Sequence, residues 1–125
     1  NGAMMMQTLS CQTDLFDKVV TLAGALMSDV PSCPAARGHT IYNYHGESDQ
    51  NVPIAGGFGT KGVSNIEFTS QSRSKTLFEA AGGRYMLHAL PGADHLIEHL
   101  SLSSQRQDGL IIGERIARDL GLLPN

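Results

Sequence analysis

Two short strings in this chain carry residue types that activate a nucleophile. The first is His45-Gly46-Glu47-Ser48-Asp49-Gln50-Asn51-Val52-Pro53, and the second is Pro91-Gly92-Ala93-Asp94-His95. Each follows a run that reads as a strand. An Asp and a later His at neighbouring strand ends are the orienting pair of a nucleophilic triad. The carboxylate fixes the imidazole tautomer and stabilises the imidazolium. The imidazole takes the nucleophile's proton and returns it to the leaving group. Asp49 and His95 are therefore the candidate acid and base. The bland alternative for an Asp in a polar loop is a turn former or cap, and for a loop His a solvated ring. His39, His88 and His99 take that bland reading. His45 is expected to support the end of its strand rather than act on substrate.

Three further strings mimic other chemistries. His95-Leu96-Ile97-Glu98-His99 matches the His-x-x-Glu-His zinc pattern. A zinc-dependent hydrolase would need that segment helical, with both imidazoles on one face, and a third ligand besides. The glycine-rich stretch 56–62 lacks the Lys-Ser/Thr ending and the preceding strand of a phosphate-binding loop, so it reads as a surface loop. Gly62-Val63-Ser64-Asn65-Ile66 begins like a nucleophile elbow but has Ile where the last glycine belongs. It also falls after Asp49, contrary to the Ser, Asp, His order of α/β-hydrolases, and Ser64 is rejected as the nucleophile. No metal and no cofactor is expected.

The elements that must position Asp49 and His95 follow from hydrophobic pattern and breakers. Residues 1–9 favour helix through Met and Leu, with Ala3, Met6 and Leu9 on one face. Lys18 to Gly24 holds a Val-Val-Thr-Leu core, a short strand of the kind buried on both faces of a parallel sheet. The run from Thr40 is a second strand, breaking at His45-Gly46. Ser70 to Ala81 reads as a helix stopped by Gly82-Gly83. Arg84 to Leu90 is a third strand, ended by Pro91-Gly92. A polar loop carries Asp94, His95 and His99. A last helix runs from about Gln105 to Leu120, striped by Ile112, Ile116 and Leu120.

Strands separated by helices or long crossovers predict an α/β fold, a parallel sheet with helices on its faces. Both loops then lie at the carboxyl edge, where open α/β sheets place their chemistry. Three short strands leave a long edge unpaired, so another segment is expected to complete the sheet. At 125 residues the chain is one modest domain or part of one. A net charge of −3 gives no electrostatic footprint for nucleic acid or anionic membrane. No apolar run approaches the ~18 residues needed to span a bilayer. Cys11 and Cys33 fit either two free thiols or a disulfide, which would mark an oxidising compartment.

Asn1-Gly2-Ala3-Met4-Met5, Leu22-Ala23-Gly24-Ala25-Leu26, the His45–Pro53 string and the Pro91–His95 string come in an order that suggests a family. Most of the 125 residues resemble the polyhydroxybutyrate depolymerase and feruloyl-esterase-like branch of the α/β-hydrolases, which makes residues 1–125 the carboxyl-terminal portion of one such domain. The resemblance implies a carboxylic ester hydrolase with a Ser-Asp-His triad, Asp49 and His95 matching the acid and base. In that family Asn1-Gly2 would follow the serine of a Gly-x-Ser-Asn-Gly elbow, so the nucleophile would lie immediately upstream of Asn1. The backbone N–H of Asn1 would then be one oxyanion-hole donor. The partners implied are an ester substrate, hydroxyalkanoate or aromatic acyl, and the amino-terminal part of the same domain. A secreted or periplasmic location is expected, with a cytoplasmic one as the alternative. Where the family has Trp-Pro after the histidine, this chain has Leu96-Ile97, a departure that bears on substrate preference. A non-catalytic hydrolase-fold binding module is the reading that remains if the upstream serine is replaced.

Overall fold

The strand that leads into Asp49 is the centre of the sheet. The computed structural model describes residues 2–26, 30–61 and 66–123. In chain order these form α1 (Gly2–Gln12), β1 (Lys18–Leu22), β2 (Thr40–Gly46), β3 (Gly57–Phe58), β4 (Glu67–Phe68), α2 (Gln71–Ala80), β5 (Arg84–Leu90), α3 (Ile97–Asp108) and α4 (Ile112–Asp119). The main sheet has the order β1-β2-β5, and both pairings are parallel. The expected α/β class and parallel sheet are therefore present. Among the described residues, β1 and β5 each leave one long side without a neighbouring strand.

Period-two alternation divides the strands between two cores. Val19, Ile41 and Tyr85 point to one face, where they pack with Cys11, Leu26, Phe78 and half-buried Met6 and Leu77 from α1 and α2. Tyr44 points to the other, where Leu90, Ala93, Leu100 and Ile112 join it under α3 and α4. β1 is not buried on both faces, as its nearly all-apolar core suggested. Lys18 and Val20 are exposed, because among the described residues no helix covers the second face at that end of the sheet. Cys11 and Cys33 form a disulfide, tying the end of α1 to the loop before β2. In the chain-entropy account such a closure contributes about 3 kcal/mol.

Helix boundaries follow their caps where caps exist. Ser70 accepts a hydrogen bond from the Arg73 N–H and starts α2 one residue later. The last helix of the sequence reading is instead two. Gly109 adopts a left-handed conformation, φ 85°, that ends α3, and α4 restarts at Ile112. The stretch after His95, expected as loop, is thus the start of α3, and His99 lies on that helix. The glycine-rich segment is also more than a loop, since β3 and β4 pair as a short antiparallel ribbon. No helix among the described residues is long and apolar enough to cross a membrane.

Candidate active site

Asp49 is placed by a loop that cannot move far from the end of β5. The Glu47 N–H donates to Leu90 O at 3.0 Å, and the Ser48 N–H donates to Ala93 O at 2.8 Å. This close approach requires glycine at position 46. A Cβ there would meet Ala93 O at 2.3 Å and Asp94 O at 2.5 Å. The His-Gly of the sequence string thus brings the two loops into contact. From behind, Thr60 N–H and Lys61 N–H both donate to Gln50 O, at 2.8 and 3.1 Å. The glycine-rich segment therefore buttresses the acid loop.

Within that loop the Asp49 carboxylate is fully divided between structure and chemistry. Oδ1 accepts the backbone N–H groups of Asn51 and Val52, each at 2.8 Å. Oδ2 accepts from His95 Nδ1, also at 2.8 Å. The Asp49 side chain has no solvent exposure, whereas that of His95 is 40% exposed. His95 borders a cavity of about 230 Å³ lined by Gln50, Asn51, Lys61, Asp94 and Leu96. With Nδ1–H committed to Asp49, the neutral ring presents an unprotonated Nε2. That is the protonation pattern of a general base.

Behind Asp49 lies a polar interior that the sequence reading did not anticipate. His45 is wholly buried, and burial holds its imidazole neutral by pushing its pKa below the usual value. Its Nε2 donates to Val52 O at 2.7 Å and stands 3.6 Å from Asp49 Oδ2. Its Nδ1 faces the Asn43 amide nitrogen at 3.2 Å. Asn43 continues to Thr21 Oγ1, to the Gly24 backbone and to Gln71. Tyr85 and Gln7 close the set from β5 and α1. Ala23, at φ 58°, turns the chain so that Gly24 offers both its N–H and its carbonyl to Asn43. The available signal was period two: Ile41, Asn43 and His45 share the inward face of β2, so polar residues stand where apolar ones are normally expected.

The His-x-x-Glu-His string is not a metal site of the expected form. His95 precedes the first turn of α3 and faces Asp49, while His99 Nδ1 bonds Asp94 Oδ1 at 2.8 Å. The Leu96 N–H, then His99, hold the Asp94 carboxyl below its usual pKa. Among the described residues no three His, Cys, Asp or Glu side chains converge as a ligand set. His39 is not solvated: it is buried between Ser10 O, 2.8 Å from Nδ1, and Asp14 Oδ1, 2.9 Å from Nε2. His88 meets Gln107 Oε1 at 2.8 Å and stacks on Tyr44. Asn1 and Ser64 lie outside the described residues.

No protein-family model matches the chain, and comparison with curated proteins and with solved structures finds no match either.

Proposed function

We propose that this chain carries the acid and base of a carboxylic ester hydrolase, with Asp49 orienting His95 and a serine immediately upstream of Asn1 as nucleophile. One observation carries the reading. A buried carboxylate bonds Nδ1 of a half-exposed imidazole at 2.8 Å, beside an open cavity at the carboxyl edge of a parallel sheet. The two residues lie 46 positions apart in sequence, so the contact is made by the fold and not by a local turn. The position of α1 is compatible with a nucleophile just before it. Ala3 Cβ lies 2.9 Å from the point a Gly24 Cβ would occupy, and Gly24 hydrogen-bonds Asn43 behind the Asp49 loop.

In the proposed cycle His95 Nε2 removes the serine proton as the hydroxyl attacks the ester carbonyl. The tetrahedral oxyanion takes hydrogen bonds from backbone N–H groups, Asn1 among them. His95 then protonates the leaving alcohol, and water repeats the sequence on the acyl-serine. Asp49 keeps its charge throughout and offsets that of the imidazolium. The disulfide makes an oxidising compartment, secreted or periplasmic, the compatible location. A fluorophosphonate probe on the intact protein tests the reading: it should label a serine directly before Asn1, and His95→Ala should abolish labelling. Absence of labelling, or labelling that His95→Ala leaves unchanged, removes the triad.

A further inference from the structure

We infer that Asn43 and His45 are positioning residues for Asp49: Asn43 holds the His45 ring with its proton on Nε2, and that proton fixes the segment that grips the acid. The inference rests on Asp49 and His95 being the acid and base of a triad.

The assignment follows from counting donors and acceptors. Val52 O can only accept, so His45 Nε2, 2.7 Å away, carries the hydrogen. Val52 is thereby held at both ends, its carbonyl by His45 and its N–H by Asp49 Oδ1. His45 Nδ1 is then an acceptor and needs a donor. The Gly24 backbone settles which end of the Asn43 amide is nitrogen, because its N–H bonds Asn43 Oδ1 at 3.0 Å and its carbonyl lies 3.1 Å from Nδ2. Asn43 Nδ2 has two hydrogens and three acceptors within reach: Gly24 O, Gln71 Oε1 and His45 Nδ1. Gln71 Nε2 also donates to Gly24 O at 2.6 Å, so that carbonyl keeps a donor when Asn43 directs its two hydrogens to Gln71 and His45. The nitrogen that carries this proton, His45 Nε2, stands 3.6 Å from Asp49 Oδ2, the oxygen that receives His95. A flipped tautomer would turn a lone pair toward Val52 O and toward that carboxylate, and would release the loop.

Imidazole nitrogen shifts, read by NMR on the intact unmodified protein at neutral pH, test the first link without substrate. His45 Nδ1 should report as unprotonated and Nε2 as protonated; the reverse, or an averaged signal, overturns the inference. Asn43→Asp, of nearly equal volume, should move the His45 Nδ1 signal to a protonated value, and an unmoved signal overturns it. His45→Phe removes the donor, whereas His45→Gln retains an amide N–H for Val52 O. Folding of each is checked by far-ultraviolet circular dichroism. His45→Phe should lose the downfield His95 Nδ1–H proton signal and lower kcat by about 10–100-fold with KM little changed, the size of effect known for outer-shell partners of metal ligands. His45→Gln should restore both. An unaltered signal and kcat in His45→Phe refute the positioning role even if the triad stands. If the triad reading fails, the fluorophosphonate test reports it separately, and the NMR readouts still decide whether His45 sets the geometry of Asp49 and His95. Should His45→Phe not fold, the wild-type shifts and the Asn43→Asp shift decide the matter.

Discussion

Replacing Asp49 with Asn separates the chemistry of this site from its architecture. The amide oxygen can keep the Oδ1 position, where Asn51 N–H and Val52 N–H donate at 2.8 Å. Its NH2 then faces His95 Nδ1 at the place of Oδ2. Two donors cannot share that contact, so the His95 proton moves to Nε2 and the ring can no longer accept from a nucleophile. Loss of the correct tautomer in such a triad lowers kcat by about 10⁴-fold, equivalent to about 5 kcal/mol of transition-state stabilisation. The structural loss is smaller. Two charge-assisted bonds become neutral ones, and the halved strength corresponds to about 1–2 kcal/mol of stability. Turnover of a chromogenic ester by the intact protein, alongside urea unfolding, measures both quantities. A variant that folds and retains turnover within about tenfold of the parent would refute the role assigned to Asp49.

Two other outcomes follow from the same geometry. Gly46→Ala places a Cβ 2.3 Å from Ala93 O, so the two loops must part. Overpacking of this kind costs about 1–3 kcal/mol, seen as a lowered urea midpoint with ester turnover reduced; an unchanged midpoint would contradict the contact. His39 gives a pH test of the α1–β2 junction. Its hydrogen bond to Ser10 O, followed by that to Asp14, raises its pKa above 6.5. The resulting stability is fully present below the unfolded value and is lost as pH rises through the folded one. The stability gap between wild type and His39→Gln should therefore be full below pH 6.5 and shrink as pH rises above it. Asp14 is 96% exposed, so salt should weaken its share. The comparison must be made against the variant because His45, whose pKa is lowered by burial, acts in the opposite sense, losing stability as pH falls below 6.5. A gap independent of pH would refute the assignment.

What the sequence made legible was whatever local pattern determines. β5 occupies Arg84–Leu90 as expected, because a run of mostly apolar residues lies between Gly82-Gly83 and Pro91-Gly92. Asp49 and His95 were identifiable because each stands beyond such a run. α3 was not legible, and the reason is chemical. Its buried face is Leu100, Ser103 and Ser104, so it has no apolar stripe. Its serines reach backbone carbonyls instead, Ser103 to Pro91 O at 2.7 Å and Ser104 to Leu110 O at 2.6 Å. The inward face of α1 misleads in the same way, since its buried residues are Gln7, Ser10 and Cys11, while the expected Ala3, Met6 and Leu9 are half-buried. His39 was misread because its partners are Ser10 and Asp14, 29 and 25 residues away. These are buried positions held by polar or disulfide-bonded residues, which hydrophobic periodicity does not register.

The inward-facing residues of β1 and β2 change in a common direction along the sheet. On the face toward α1 and α2, β1 runs from Val19 to Thr21, and β2 runs from Ile41 through Asn43 to His45. The interior changes from apolar to polar and then to titratable as it nears the carboxyl edge. Stability alone does not account for this, because well-packed apolar residues of similar volume serve a core at least as well as buried polar groups. Nor can the seam be lost piecemeal. An Asn43→Leu change would strand the Gly24 N–H, the Thr21 hydroxyl and one Gln71 acceptor bond, at about 1–3 kcal/mol for each group left unpaired. What the seam provides is direction. Every member is fixed by at least two partners, so the orientation of Gln7 on α1 is transmitted through Thr21 and Asn43 to His45, Val52 and Asp49. An ester hydrolase of the proposed kind needs the helix behind its nucleophile and the loop holding its acid kept in register to a fraction of an ångström. A polar seam joining α1 to the Asp49 loop meets that requirement where a smooth apolar interface would let the two slide.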